Sequence, residues 1–527
     1  MELEIHPTEM SQGEEALQRL TSTVVEKIGV GAQKTEFFFS SACIYRVPEK
    51  LRKLKESTYT PHLIAIGPLH QNDEHLQTPL QHVKMSYTKF LLHRLTAGME
   101  GLELAERTKF VLQKCLAEIK TLIDDAKKCY AAEVTVLNIE EMLLVDGCFI
   151  LEFLYRSRSL ELKKIAEKEG KKPIDGGDNS NSKRRETTDP IFGNLLTLYH
   201  VKNDLILLEN QIPFFVLEKL FSLTVGQIPN RPDKNWSLTD YVGSCYAYKK
   251  MSSPVGKSAN AKTRCSPSDC VLGVLGSTTT AAAGSTAAAA ARVQSGKNID
   301  HYRSTAKHYH HILHNLHDGY LRVLPSGYGK LISDEEVLMP SALDLNYRGV
   351  QFVADASGNH GFKFTEPKGL FSMWRRACFE VPPLSILDDT ELYLRNLITF
   401  EQCCPGVSPD VTSYAYIMSM LVNTDKDVQA LEQARVVINY LGARKDATNL
   451  LTSLCKETAL GELIFADTCI KATRYSNRRW AKNMAACRYF VAPWTFRAFV
   501  TGFISFAMYV FYFVRKFLKK EKWCRWK

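Results

Sequence analysis

The stretch DLILLENQIPFFVLEKLF, residues 204–221, combines a dense apolar pattern with three consecutive polar side chains. These are Glu209, Asn210 and Gln211, and large apolar residues lie on both sides of them. Buried polar groups without hydrogen-bond partners are costly, so the triplet demands partners from elsewhere in the chain. We predict that it forms a fold-specifying polar network. A binding site built on the same three residues is the alternative.

Helical periodicity surrounds this stretch and recurs along most of the chain. A helix is predicted over 203–223, and Pro213 should end or kink it. Apolar residues recur every three to four positions in further segments, at 85–130, 139–157, 301–324, 389–403, 411–441 and 446–487. Residues 350–381 instead carry β-favouring pieces split by Gly and Asn, which predicts one hairpin. The fold class is therefore mainly α, a large helical body with a small β element.

Composition and charge exclude several classes of protein. Of 527 residues, 45% are apolar and 24% are charged, as in an ordinary globular protein with a core. The net charge is +10, but residues 515–527 hold seven Lys/Arg and one Glu, or +6, which leaves only +4 for the rest. A near-neutral body with a basic tail does not indicate a nucleic-acid partner.

The C-terminus carries a long apolar run. The seventeen residues AFVTGFISFAMYVFYFV, 498–514, contain no charge and would span about 25 Å as a helix. Starting at residue 491 restores a bilayer's length, so we predict one transmembrane helix at 491–514, followed by a basic tail at 515–527. A buried core helix, and hence a soluble scaffold, is the alternative. Cys524 is a candidate for S-palmitoylation or an idle exposed thiol.

Composition shifts divide the remainder of the chain. Residues 1–39 form a polar N-terminal segment, and 40–489 form the helical body. Two stretches in that body lack apolar periodicity: a polar loop at 170–189 and an Ala/Ser-rich insertion at 252–300. The insertion has too little apolar surface to offset its ordering entropy, so it is predicted to be disordered.

Motifs for chemistry are scarce. No phosphate-binding, dinucleotide-binding, zincin or hydrolase signature occurs, and none of the fourteen Cys forms a CxxC pair, so neither an enzyme nor a cofactor is predicted. On a helix, His310, His314 and His317 would share one face and could bind zinc or copper. Ordinary helix histidines beside a core stripe are the preferred interpretation. The competing class is an enzyme with an uncatalogued site built on Glu209 and the histidine helix.

Several blocks, in order, resemble one plant family. They are CIYRVPEKLRKLKESTYTPHLIAIGPLH (43–70), MLLVDGCFILEFL (142–154), DLILLENQIPFFVLEKLF (204–221), PSALDLNYRGVQF (340–352) and the late blocks from residue 382 to residue 442. Together they are similar to the plant "domain of unknown function 247" proteins, also called UPF0481-like, over about residues 40–527. One departure is Ala434-Arg435-Val436, where a Lys-Gly-Ile-like sequence is commoner in the family.

The resemblance implies a single hydrophobic span with a basic tail and no established activity, catalytic residue or cofactor. Some grass members are implicated in self-incompatibility, which suggests recognition at a membrane but belongs to those members. We therefore predict a single-pass, C-terminally anchored interaction protein at the plasma membrane or an endomembrane, with an unidentified protein partner and with its orientation open.

Overall fold

The computed structural model describes most of the chain. The described residues are 12–39, 42–170, 189–246, 308–321, 338–478 and 493–524, with interruptions at 98, 133, 135–137, 230, 356–360, 369–374 and 462. Two predicted segments fall outside them: the Ala/Ser-rich insertion at 252–300, and the polar loop at 170–189 except for its two end residues.

Helices make up most of the described chain, and the mainly α fold class is confirmed. In chain order they are α1 (Gln12–Phe39), α2 (Glu49–Leu54), α3 (Val83–Leu95), α4 (Gly101–Lys128), α5 (Ile139–Lys168), α6 (Leu195–Asp204), α7 (Phe214–Leu223), α8 (Leu238–Cys245), α9 (Ile312–Leu321), α10 (Ala342–Tyr347), α11 (Thr390–Cys403), α12 (Asp410–Leu421), α13 (Asp425–Gln433), α14 (Arg444–Ser453), α15 (Ala466–Asn477) and α16 (Pro493–Cys524).

Helix α5 is the centre of the first half of the body. Its apolar residues cover every face of its first four turns, and α3, α4, α7 and α8 pack around it. Gly147 permits the close approach of α7, since a Cβ there would lie 2.3 Å from Leu220 Cδ1. The helix predicted at 139–157 is confirmed; it is mostly buried there and continues to Lys168.

The second half packs shorter helices on a small β element. Helix α10 lies against α13 and the first β-strand, and α12 lies between α11 and α14. One hydrophobic core joins the two halves and extends from Cys43 to Tyr475. The helical body is therefore built around a continuous interior.

The β element is larger than the single predicted hairpin. Strands β1 (Val350–Ala354), β3 (Ala377–Val381) and β2 (Lys363–Thr365) form one sheet in that order, with β1 parallel and β2 antiparallel to β3. A second, parallel pair joins β4 (Leu384–Ile386) to β5 (Val437–Asn439). The predicted helix over all of 411–441 was wrong, because β5 lies within that range. The apolar run at β5 is too short to show a strand period, and its partner β4 is distant in sequence.

The first and last helices stand out from the body. Every described side chain of α1, from residue 16 to residue 30, is exposed. Within the described residues, α16 contains the one stretch long and apolar enough to cross a bilayer, Ala498–Lys516, and none of that stretch is buried in the protein.

The basic segment predicted as a separate tail begins inside α16 instead. Helix α16 passes Val514 without a break and ends at Cys524, since nothing in RKFLKKEKWC interrupts a helix. The side chain of Cys524, like residues 491 and 492, lies outside the described part of the chain.

Candidate functional site

The polar triplet lies in an irregular connection and not inside a helix. Helix α6 ends at Asp204 and α7 begins at Phe214, so the predicted helix over 203–223 was wrong in its middle. Gln211 Nε2 donates to the carbonyls of Leu205 and Leu207, each at 2.9 Å. Such side-chain bonds offer the backbone an alternative to the helical ladder. Pro213 then serves as the N-cap residue of α7 and does not kink a helix.

Asn210 holds the backbone of an extended segment that precedes α3. Its Oδ1 accepts from Ile66 N–H at 2.6 Å, and its Nδ2 donates to Ile64 O at 2.9 Å. A further bond from Nδ2 reaches Asp204 O at 2.9 Å. The side chain is 1% exposed, so these bonds replace all of its contacts with water.

Asp204 and Asp146 grip the same segment on either side of Asn210. The Asp204 carboxylate accepts from the N–H groups of residues 62, 63 and 64 at 2.8, 2.8 and 3.0 Å. Asp146, on α5, accepts from Gly67 N–H at 2.8 Å and from Lys84 Nζ at 2.6 Å. We name residues 58–70, with the side chains that hold them, the entry-segment clasp.

Gly67 is the point of closest approach in the entry-segment clasp. Its φ is +71°, and a Cβ there would lie 2.5 Å from the backbone oxygen of Gln211. Tyr130 Oη donates to that same oxygen at 3.1 Å. Only glycine meets both demands, the left-handed backbone and the missing side chain.

Glu209 points away from Asn210, toward the chain at residues 46–52. Its carboxylate accepts from Val47 N–H and from Arg52, and Arg46 Nη1 lies 3.9 Å away. Burial raises the pKa of Glu209, but His70, Val47 N–H and Arg52 outweigh it, so the pKa is lowered from its ordinary value. The carboxylate therefore stays ionised near neutral pH and is unsuited to act as a general acid.

His70 lies between two carboxylates. Its Nδ1 is 2.7 Å from Asp73 Oδ2, and its Nε2 is 3.1 Å from Glu209 Oε2. His70 Nε2 and Glu209 Oε2 are at ion-pair distance. Neither atom has a hydrogen-bond partner, so this contact lacks the alignment of a hydrogen bond. His70 thus lies within ion-pair distance of both carboxylates.

Asn396 ties the entry-segment clasp to the second half of the body. From α11, its Oδ1 accepts from Leu208 N–H at 2.9 Å, and its Nδ2 donates to Thr58 O at 2.8 Å. Both partners are distant along the chain, and Asn396 is fully buried. The entry-segment clasp therefore joins three remote parts of the sequence.

The histidines in α9 and just before it surround an aromatic ring. His311, His314 and His317 each contact Phe400, with ring centroids 5.0, 5.3 and 5.6 Å away. His311 Nε2 lies 3.1 Å from Cys43 O, and its Nδ1 accepts from His314 N–H at 3.2 Å. Burial lowers the pKa of His311 well below its ordinary value, so it is a neutral core side chain.

The three predicted metal candidates do not converge. His314 Nδ1 accepts from His310 N–H at 3.1 Å, and the two rings are tilted by 32° with centroids 4.7 Å apart. His317 instead reaches Glu401 Oε1 at 2.6 Å. In the part of the chain that the structure describes, no three His, Cys, Asp or Glu side chains form a metal site.

Sequence reasoning singled out the triplet but missed most of its partners. Nothing local in the sequence shows that Asp146 and Asn396 hold the segments around the triplet. Nothing local shows that His70 lies beside Glu209, or Glu401 beside His317. Glu401 caps α12 by accepting from the N–H groups of Val411 and Thr412 at 2.8 and 2.7 Å. A buried carboxylate inside an apolar helix was the one signal available, as for Asp146 in α5.

The polar side chains of the entry-segment clasp form hydrogen bonds mainly with the backbone of the same chain. Helix α16 presents an apolar surface that is not buried in the protein. Together they define a mainly helical protein with a continuous core and one candidate membrane-spanning helix. The chain belongs to the family described as "Plant protein of unknown function", DUF247, whose model matches residues 44–508.

Two curated proteins of Arabidopsis thaliana are similar over most of their length. UPF0481 protein At3g47200 is 25% identical over 468 residues, covering 86% of this chain and 82% of the relative. Putative UPF0481 protein At3g02645 is 20% identical over 522 residues, covering 87% of each. No solved structure matches the chain.

Proposed function

We propose that this chain is a single-pass membrane protein, anchored by α16, whose helical body binds a protein partner. The observation that carries the anchor is the stretch Ala498–Lys516, which carries no charge from 498 to 514 and is not buried in the protein. In water such a surface would be unfavourable, whereas in a bilayer core it is solvated by lipid. The basic residues that follow can lie among anionic headgroups.

Binding is proposed over catalysis because of how the polar cluster is used. Asn210 and Asp204 bond to the backbone of this chain, and the buried Glu209 carboxylate is enclosed by Val47 N–H, Arg52 and His70. A catalytic group needs a free lone pair or proton aimed at a substrate. The partner that we propose is a protein that contacts the body surface at the plasma membrane or an endomembrane.

The anchor is tested by carbonate extraction of membranes from plant cells. The full chain is expected to stay in the pellet, and a chain that ends at Tyr489 is expected in the supernatant. A matched control keeps the full length but carries Phe503→Lys, Phe506→Lys and Val510→Lys, and it should also be extracted. A truncated chain that still pellets would show that α16 is not the anchor.

Partner binding is tested by proximity labelling of the intact protein in plant cells. The control is residues 493–527 fused to an unrelated soluble protein, which reports what any protein at that membrane would label. The intact chain is expected to label proteins that the control does not. Identical sets from the two would contradict a binding role for the body.

A further inference from the structure

Two buried cysteines lie side by side where the chain enters the body. Cys43 N–H and Ile44 N–H both donate to Cys129 O at 2.9 Å, and Ala131 N–H donates to Ile44 O at 3.0 Å. Ile44 pairs with Tyr130 as a parallel bridge. Cys43 directly precedes Ile44, and Cys129 directly precedes Tyr130. The two cysteines therefore occupy adjacent positions on the two paired segments. Neighbouring strands lie roughly 4.7–4.9 Å apart, which is within the Cα–Cα range of a disulfide.

The thiols of these two residues also contact each other. Both side chains are buried, and their mutual hydrogen bond is the largest influence on each: it lowers the pKa of Cys129 and raises that of Cys43. Cys129 Sγ is further placed 3.3 Å from Asp125 O at the end of α4. Of the two, Cys129 is therefore the better nucleophile.

A third thiol lies near Cys43 but does not occupy an adjacent position on a paired segment. Cys404, at the end of α11, contributes to the electrostatics of Cys43. Burial raises the pKa of Cys404 to about 11, which makes it a poor thiolate. It follows an α-helix and is not placed in register with Cys43, so it is the natural competitor in a test.

We propose that Cys43 and Cys129 form a reversible disulfide by exchange with a small disulfide such as oxidised glutathione. The Cys129 thiolate attacks one glutathione sulfur and releases one reduced glutathione. Cys43 then attacks the Cys129 sulfur of the mixed disulfide and releases the second. The pair loses two electrons and two protons, and one oxidised glutathione becomes two reduced molecules.

This bond would fasten the start of the body to the end of α4. The residues just after Cys43 include Val47 and Arg52, which hold Glu209. Closing the long loop between Cys43 and Cys129 restricts the unfolded chain and so stabilises the folded one. A body on the oxidising side of a membrane would carry the bond closed, and a cytosolic body would carry the dithiol.

The test uses the full chain in detergent, equilibrated with mixtures of reduced and oxidised glutathione. Incubation continues until the extent of linking no longer changes, because buried thiols react only after local opening. Free thiols are then alkylated, and the protein is cleaved after Lys, Arg and Glu. This releases Cys43 in peptide 37–46 and Cys129 in peptide 129–133, each with a single cysteine.

The expected result is a linked pair of these two peptides that increases with oxidised glutathione and disappears with dithiothreitol. Cys404→Ser should keep the link, and Cys129→Ser should abolish it. A link from Cys43 to the peptide that carries Cys404 would overturn the proposal. So would full alkylation of Cys43 and Cys129 in oxidised glutathione alone, once the reaction has reached its plateau.

Discussion

Asn210 accepts a hydrogen bond from the backbone N–H of Ile66 at 2.6 Å, across 144 residues of sequence. The same side chain donates to Ile64 O at 2.9 Å, so it pairs with the entry segment much as a neighbouring strand would. The segment pairs with no strand in the described structure, and Asn210, Asp204 and Asp146 supply the hydrogen bonds that a strand would supply. Buried backbone groups need such partners, and here side chains provide them.

Replacement of Asn210 by Leu should destabilise the body strongly. It leaves Ile66 N–H, Ile64 O and Asp204 O without their partner, and each buried unsatisfied group costs about 1–3 kcal/mol. We expect a loss of at least about 3 kcal/mol, or no folding, in circular dichroism melts of the full chain in detergent. Asn449→Leu, at an exposed position of α14, is the control and should be near neutral.

The same variant separates the two roles considered for the triplet. A binding site would lose its partner while the melting temperature stayed that of the parent. A structural network loses stability first. An Asn210→Leu protein that melts normally and still labels the same partners would contradict both roles.

Gly67→Ala should also be costly, for a steric reason. The new Cβ would lie 2.5 Å from the backbone oxygen of Gln211, and φ is +71°. The left-handed backbone alone costs about 1–2 kcal/mol for a residue with a Cβ, and the clash adds to it. Gly406→Ala is a matched control, because Gly406 has φ +84° with open space around its Cβ position.

The difference in unfolding free energy between these two glycine variants measures the cost of the close contact separately from the cost of the left-handed backbone. We expect a larger drop in unfolding free energy for Gly67→Ala, measured by denaturant titration. Equal losses would show that the contact at Gln211 relaxes without cost.

The class of fold could be predicted from sequence because its signals are local. The apolar periodicity of α5 and the charge-free run in α16 lie within single segments, and a window of about 20 residues contains each one. The polar triplet was recognisable for the same reason, as three polar residues in an apolar stretch.

The partners of the triplet and of the loop that holds it could not be predicted, because they are set by tertiary packing. Asn396 reaches Leu208 across 188 residues, and nothing near Asn396 marks it as a partner of that loop. The parallel pairing of β4 with β5 could not be predicted from the sequence for the same reason. The helix expected through Glu209 was wrong because side-chain bonds to Leu205 and Leu207 compete with the helical ladder.

Glu209→Gln should reduce stability in a pH-dependent way. The folded-state pKa of Glu209 is lowered below its ordinary value of 4.5, so the carboxylate stabilises the fold above that pH. This contribution is lost as pH falls through the lowered folded pKa. We expect a deficit of at least about 2 kcal/mol at neutral pH that shrinks in acid, from melts at roughly pH 3 to pH 7.

Arg46 and Arg52 face this carboxylate and lose their counter-charge in the variant, and His70 Nε2 lies 3.1 Å from it. The control is Glu167→Gln, at an exposed position near the end of α5. It should change stability little at any pH. A deficit for Glu209→Gln that grows as the pH falls would contradict the assigned direction of the pKa shift.

Arg435→Gly should stabilise the protein, in contrast to the losses above. Arg435 follows α13 with φ +57°, a left-handed conformation that favours glycine. Its N–H donates to Glu432 O at 2.9 Å, and Val436 N–H donates to Leu431 O at 2.9 Å; both bonds survive the change. The side chain is exposed, so little packing is lost, and the relief of strain is worth about 1 kcal/mol. Arg435→Ala removes the same side chain but keeps the Cβ, and it should give no gain in melting temperature. Equal gains from both variants would place the effect in the arginine side chain and not in the backbone.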